Sequence, residues 1–281
     1  MARFFLFIPI YLTFALCIPY LAMGDTPPTS LSRALQIWKD TNPSSSQKNL
    51  FDTMHFASVS GDNAPLARYR PENGGGQIEI GQNLRQYRRD YVILSSNQDM
   101  AFKPDFDQYM TTLTALSLAN ESAHYTQDKN GSLNDFYIFY QHGQTQEACA
   151  LYGLQQYASD IVMMEFAIRL ERLLLSSGSV KGLNALRIAL EKNDLRDEFE
   201  EFRESLKSQD SSRINKILHA IRKKRNNANM SGLDFCSRNG GDALLDQSII
   251  NRATEPVITA LKYYQAKQNN TKEAPIRNYN N

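Results

Sequence analysis

The side chains best suited to chemistry lie in one short segment, Leu118-Ala119-Asn120-Glu121-Ser122-Ala123-His124-Tyr125-Thr126-Gln127. On a helix, residues four positions apart share a face, so Asn120 and His124 point the same way. Glu121 follows directly after Asn120 and can reach the same space. An imidazole is a common zinc ligand, and a nearby carboxylate can accept a proton from bound water. The segment therefore predicts a candidate site for metal binding and proton transfer.

A second segment, Gln146-Glu147-Ala148-Cys149-Ala150, lies near the start of the next long predicted helix. If this helix pairs antiparallel with the helix that carries His124, across the segment 128–143, Glu147 comes level with His124. One imidazole and two carboxylates would then converge. The alternative is structural, because Glu-x-x-His is a short motif that also occurs by chance on solvated helix faces.

Together the two segments resemble the zincin metallopeptidases, whose helix carries His-Glu-x-x-His and whose third ligand can be a Glu on a following helix. Within that superfamily they are most similar to uncharacterised metallopeptidase-like proteins. The helix of those proteins reads Leu-Ala-His-Glu-x-x-His, followed by an aromatic residue and Gln, with Glu-Ala-x-Ala on the next helix. The matching residues are Leu118, Ala119, Glu121, His124, Tyr125, Gln127, Glu147, Ala148 and Ala150. The resemblance covers about residues 76–175.

The resemblance implies a zincin-like helical core with a small sheet, and hydrolysis of protein or peptide substrates. It assigns Glu121 as the general base, and His124 and Glu147 as ligands of a zinc cofactor. In such a site zinc lowers the pKa of its bound water, and the carboxylate takes the proton that the water loses.

The chain departs from the family pattern at position 120, where Asn120 stands in place of the first ligand histidine. A carboxamide oxygen is a poor match for zinc beside imidazole. Three alternatives follow: the site binds no metal and is inactive, His142 replaces the missing ligand, or Asn120 itself binds a harder metal weakly. The sequence thus predicts a metallopeptidase-related protein with a degenerate or inactive site. The competing prediction is a non-catalytic helical binding or structural protein.

Residues 1–24 have the layout of a secretory signal peptide. The basic start Met1-Ala2-Arg3 precedes an uncharged apolar run over 4–21, and Ala22-Met23-Gly24 places small residues at −3 and −1 of a cleavage site. The alternative is a membrane anchor, although Pro9 and Pro19 favour cleavage. No later window is long and apolar enough to span a bilayer. We therefore expect a bacterial periplasmic or secreted protein without stable membrane insertion.

Charge and cysteine content narrow the partners and the compartment. The 31 basic and 30 acidic residues give a formal net charge of +1, so composition offers no case for nucleic acid as a partner. After cleavage Cys149 and Cys236 remain, and in an oxidising compartment they are candidates for a disulfide. The alternative is two buried thiols that lie too far apart to pair.

The pattern along the chain predicts a mainly α fold with a minor sheet. We divide it into a signal peptide and four further segments. These are an irregular and helical segment (25–75), a zincin-like core (76–177), a C-terminal helical region (178–266) and a disordered tail (267–281).

Within these segments, apolar periodicity predicts helices over 31–38, 106–127 and 145–175, and shorter amphipathic helices over 183–190, 195–206, 214–221 and 243–266. Two strands are predicted, at 77–80 and 91–94, with irregular chain over 62–76 and a loop over 128–143. Pro256 should start a new helix or kink the last one.

Overall fold

The computed structural model describes residues 29–42, 45–59, 66–72, 75–81, 84–96, 98–208, 216–217, 221 and 245–272. In this part the chain is mostly helical with one three-stranded sheet, which confirms the predicted fold class. The predicted signal peptide, most of the predicted helix 214–221 and the end of the predicted tail lie outside the described residues. Among the described helices, none combines the length and apolarity that crossing a membrane requires.

The elements follow one another in a simple order. The helices are α1 (Thr29–Thr41), α2 (Ser45–Lys48), α3 (Leu84–Leu94), α4 (Phe106–Lys129), α5 (Ser132–Gln141), α6 (Thr145–Ser176), α7 (Val180–Lys192), α8 (Arg196–Ser208) and α9 (Gln247–Lys272). The strands are β1 (His55–Val59), β2 (Ala67–Glu72) and β3 (Gly75–Gly81).

The long helices α4 and α6 form the centre of the molecule and confirm the predictions for 106–127 and 145–175. A capping box at Asp105 and Gln108 begins α4, because each side chain accepts the backbone N–H of the other residue. Both helices are buried around most of their circumference, as expected for central helices. Against them packs α1, whose Trp38 ring stacks on Phe166 with centroids 5.4 Å apart.

The sheet covers α4 with the strand order β1-β3-β2. β1 runs parallel to β3, and β2 runs antiparallel to it. The predicted strand 77–80 is confirmed within β3. The prediction of irregular chain over 62–76 is wrong for β2, where Ala67 and Tyr69 face the core while Arg68 and Arg70 face outward to Glu79. This alternation is the period of a half-buried strand.

The second predicted strand, 91–94, is wrong because these residues end helix α3. Tyr87, Tyr91 and Leu94 recur at helical spacing and are buried or partly buried, whereas Val92 and Ile93 are exposed. This apolar run of four residues therefore resembled a strand although only Tyr91 and Leu94 face inward. A short apolar run does not distinguish the two structures.

The predicted loop 128–143 is also wrong, since most of it forms α5. Gly131 has a φ of 85°, a left-handed conformation that glycine adopts without strain, and it separates α4 from α5 in a tight turn. Phe136 and Phe139 of α5 then pack on Leu151 and Leu154 of α6. The glycine thus marks a change of direction between two helices.

The last helix continues through Pro256 instead of ending there. Proline has no N–H, so the carbonyl of Arg252, one turn earlier, lacks its usual helical donor. The Asn130 side chain supplies that donor, with Nδ2 at 2.7 Å from the Arg252 oxygen. Gln127 Nε2 likewise donates to the carbonyl of Ala253 at 2.9 Å. The helix extends to Lys272, into the segment predicted as a disordered tail.

Candidate functional site

The residues of the predicted site share helix α4 but contact different neighbours. Asn120 faces α6, where its Nδ2 donates to Ser159 Oγ at 2.9 Å. Glu121 faces the sheet, where its Oε2 accepts the backbone N–H of Tyr69 at 2.7 Å. His124 faces α6 again, close to Gln156. Three nearby positions on one helix therefore serve two separate interfaces.

Glu121 is buried in this interface, with 8 % of its surface exposed. Burial raises the pKa of its carboxyl to about 8, because the charged form is poorly solvated. The hydrogen bond from Tyr69 and the charge of Arg68 lower the pKa by less, since the Arg68 guanidinium is paired with Glu79. At neutral pH the Glu121 carboxyl is therefore mainly protonated.

His124 is bound by two amide side chains. Its Nδ1 lies 2.8 Å from Gln127 Oε1, which can only accept, so Nδ1 carries the proton. Its Nε2 lies 3.4 Å from Gln156 Nε2 and is the acceptor of that pair. Burial lowers the pKa of the imidazole, which stays neutral at neutral pH.

Glu147 does not come level with His124, so this expectation is wrong. The contacts of Asn120 with Ser159 and of His124 with Gln156 set the register of the two antiparallel helices. Glu147 precedes Gln156 by nine positions on α6, which is about 13 Å along the helix axis. The turn of α5 lengthens the connection and shifts the level at which α6 begins.

His142 does not complete the site either. It is exposed at the end of α5, and its Nδ1 donates to the carbonyl of Ile138 at 2.8 Å. The Nδ1 of His142 is therefore hydrogen-bonded within its own helix.

The described contacts do not bring Glu121, His124 and Glu147 together. Zinc ligand atoms lie about 2.0–2.2 Å from one ion, so they must surround a common point. Glu121 instead meets β2, His124 meets two glutamines, and Glu147 lies further along α6. Among the described residues, no group of three or more His, Cys, Asp and Glu could hold a metal ion.

Cys149 is buried and disulfide-bonded. The other two cysteines of the chain, Cys17 and Cys236, lie outside the described residues. The pairing of Cys149 with Cys236 stays a prediction.

A cavity of about 250 Å³ lies beside Glu121, between β2, α3, α4, α6 and the end of α7. We call it the central cavity. Its polar wall consists of Ser117, Asn120, Glu121, Gln156, Asp160, Lys192 and Asn193. Its apolar and aromatic wall consists of Leu66, Ala67, Tyr87, Leu113 and Met163.

Charged groups on this wall differ in their partners. The Lys192 ammonium lies 2.7 Å from Asp90, which is itself partly buried. Glu121 uses one oxygen for the Tyr69 N–H, and its Oε1 has no hydrogen-bond partner among the described residues. A buried carboxyl with one unused oxygen is thus the most distinctive group of the cavity.

Sequence reasoning missed the contribution of Tyr69, whose backbone holds Glu121 from a strand that was not predicted. The alternation Ala67-Arg68-Tyr69-Arg70 was the available signal. The ring of Tyr69 lies over Gly76, where a Cβ would be 2.3 Å from a ring carbon. The glycine therefore gives the ring its space.

No family model, curated protein or solved structure matches this chain. The likeness to zincins therefore rests on the motif residues of α4 and α6 alone.

Proposed function

We propose that the protein is an exported, non-catalytic binding protein whose ligand site is the central cavity. The observation that carries the proposal is Glu121: it is more than nine-tenths buried, lines the cavity, and leaves Oε1 without a partner among the described residues. Oε1 is not one of the fully enclosed unpaired atoms of the described residues, so it is accessible from the cavity. A ligand in the cavity can therefore pair with Oε1.

The chemistry of the same residues favours binding over peptide hydrolysis. His124 does not line the cavity beside Glu121, so the two groups of the motif do not meet at one bound water. The imidazole of His124 is bound through both nitrogens to glutamine side chains. The proposal thus keeps the expectation of an inactive site and replaces the metal by an organic ligand.

The size of the cavity limits the ligand. Its volume of about 250 Å³ lies just below the usual range of ligand pockets, roughly 300–1,000 Å³. The occupant is therefore a small molecule or a single side chain of a peptide partner. The signal peptide predicted in residues 1–24 supports encounter with this ligand outside the cytoplasm.

The test is a thermal-shift screen of the full chain with small metabolites and amino acids. A ligand at one hundred times its Kd stabilises the folded state by about 2.7 kcal/mol, which is a measurable rise in Tm. Ser117→Leu fills the cavity and should abolish the rise, because Ser117 lies on the wall and its hydroxyl only bonds Leu113 of its own helix. Ser176→Leu on the exposed end of α6 is the matched control and should leave the rise intact.

Two results would overturn the proposal. One is a screen in which no compound raises the Tm of the wild type, or in which the rise persists in Ser117→Leu. The other is peptide cleavage by the wild-type chain supplied with zinc that disappears in Glu121→Gln.

A further inference from the structure

Several hydrogen-bond donors on the polar wall of the central cavity are already engaged by the protein. The Asn120 amide nitrogen donates to Ser159, and the Asn193 amide nitrogen donates to the carbonyl of Ala189. The Ser117 hydroxyl donates to the carbonyl of Leu113. Each of these groups has committed a proton to a protein acceptor.

Several side-chain oxygens of this wall, in contrast, lack hydrogen-bond partners among the described residues. The side-chain carbonyl oxygens of Asn120, Gln156 and Asn193 accept no hydrogen bond from any described residue, and neither does Glu121 Oε1. An amide oxygen can accept two hydrogen bonds, and a carboxylate oxygen can do the same. The wall therefore offers several unpaired acceptor oxygens near Glu121, and a ligand that carries donors can pair with them.

The carboxyl groups of the cavity can pair with a cationic ligand. Two carboxyl groups line it, Glu121 and Asp160, and both side chains are buried. The cation of the described wall, Lys192, is held by Asp90 at 2.7 Å. A buried carboxylate gains stability when a positive group within about 4–6 Å offsets its charge.

We infer that the central cavity binds a small ligand through a primary ammonium group, which donates to Glu121 Oε1 and to the amide oxygens of Asn120 and Gln156. This inference rests on the proposed function and names the ligand class for that site. An ammonium group carries three donors and no acceptor, so it can pair with Glu121 Oε1 and with neighbouring amide oxygens of the wall.

Proton transfer follows from this pairing. When the ammonium group enters, the Glu121 carboxyl loses its proton to the buffer and becomes a carboxylate, because the new positive charge favours its ionised form. Below the pKa of about 8, amine binding therefore releases a proton from Glu121. The titratable and charged groups around Glu121 are Arg68 and Tyr69 on β2, Tyr87 on α3, His124 on α4, Asp160 on α6 and Lys192 on α7.

The experiment uses three probes of equal length: butylamine, butanol and butanoate. Each is titrated at pH 7 into the full chain, and binding is followed by amide chemical shifts in NMR spectra. We expect butylamine to bind at least about tenfold more tightly than the other two, a difference of roughly 1.4 kcal/mol. Calorimetry in phosphate and Tris buffers should then report proton release, because the two buffers differ in ionisation enthalpy.

The decisive variant is Glu121→Gln, which keeps an acceptor for the Tyr69 N–H but cannot ionise. Its affinity for butylamine should fall at least about tenfold, and proton release should vanish. Glu147→Gln, on α6 outside the cavity, is the matched control and should bind like the wild type.

The outcomes separate the two proposals. Tighter binding of butanol or butanoate, lost in Ser117→Leu, would overturn the ammonium inference and leave the proposed function standing. Unchanged butylamine affinity in Glu121→Gln would also overturn the inference. Absence of binding by all three probes, together with a blank metabolite screen, would overturn both.

Discussion

Two buried glutamates, Glu121 on α4 and Glu165 on α6, meet the protein interior in different ways. Glu165 is 1 % exposed, and the guanidinium of Arg169, one turn further along α6, lies 2.7 Å from its Oε2. Arg169 is in turn held by the side chain of Asn42. Glu121 has Tyr125 at the equivalent position one turn on, and its nearest partner is a backbone N–H.

The two sites differ in how they compensate the charge of a buried carboxyl. Glu165 lines a second cavity, of about 220 Å³, together with the arginine that neutralises it. Breaking a buried ion pair is costly, so the pair is a fixed part of the structure. At Glu121 no cation of the described residues forms an ion pair with the carboxyl, and burial favours its protonated form. A ligand can therefore supply a counter-charge at Glu121.

The largest expected effect comes from removing the cation at the paired site. Arg169→Met should lower the free energy of unfolding by about 3–5 kcal/mol, because it leaves Glu165 buried without its counter-charge. Urea denaturation at pH 7 measures the change. Arg196→Met, which breaks an exposed pair with Glu191, is the control and should cost at most about 1 kcal/mol. Equal losses in the two variants would contradict the role given to Arg169.

Glu121 should instead make the free energy of unfolding depend on pH. The folded pKa of Glu121 is about 8, above the ordinary value of 4.5, so between these values the unfolded chain binds fewer protons than the folded chain. Stability is therefore full at low pH and falls as pH rises through this window, by up to about 4 kcal/mol. Urea denaturation of wild type and Glu121→Gln from pH 5 to pH 8.5 should show the wild type losing stability relative to the variant.

His124 also affects the pH dependence of stability, at acidic pH. Its folded pKa is lowered below 6.5, so stability falls as pH drops below 6.5. Both proteins retain His124, and their difference isolates Glu121. A difference that stays constant with pH would show that Glu121 is ionised in the folded state.

A smaller effect should distinguish acceptor loss from charge loss at Glu121. Glu121→Ala leaves the buried N–H of Tyr69 without an acceptor and should cost about 1–3 kcal/mol at pH 6. Glu121→Gln retains the acceptor and should cost clearly less. Denaturation curves of the two variants under identical conditions test this, and equal losses would contradict the contact with Tyr69.

The central helices could be predicted from the sequence because their apolar residues recur over long stretches. α4 and α6 also bury most of their surface, so local pattern and tertiary packing agree. At α3 and α5 the two signals conflict: Val92 and Ile93 favour a strand locally, and Asn130-Gly131 favours a loop. Packing of Tyr87 in α3 and of Phe136 in α5 decides the helical outcome.

The candidate site was harder to predict than the helices. The i, i+4 spacing of Asn120 and His124 correctly placed both on the face toward α6. Their partners Ser159 and Gln156 depend on the register between two helices, which spacing within one helix does not determine. Tyr69 reaches Glu121 across 52 positions of sequence, through a strand whose pairing is set by the sheet.

The hydrogen bonds to α9 around Pro256 affect when the chain can complete its folding. Asn130 and Gln127 donate to carbonyl groups of residues made more than 120 positions later. Until the ribosome has delivered that closing helix, the two amides have no acceptor there and the apolar surface of α6 that packs on α9 stays open to water. Folding can therefore reach completion only late in synthesis.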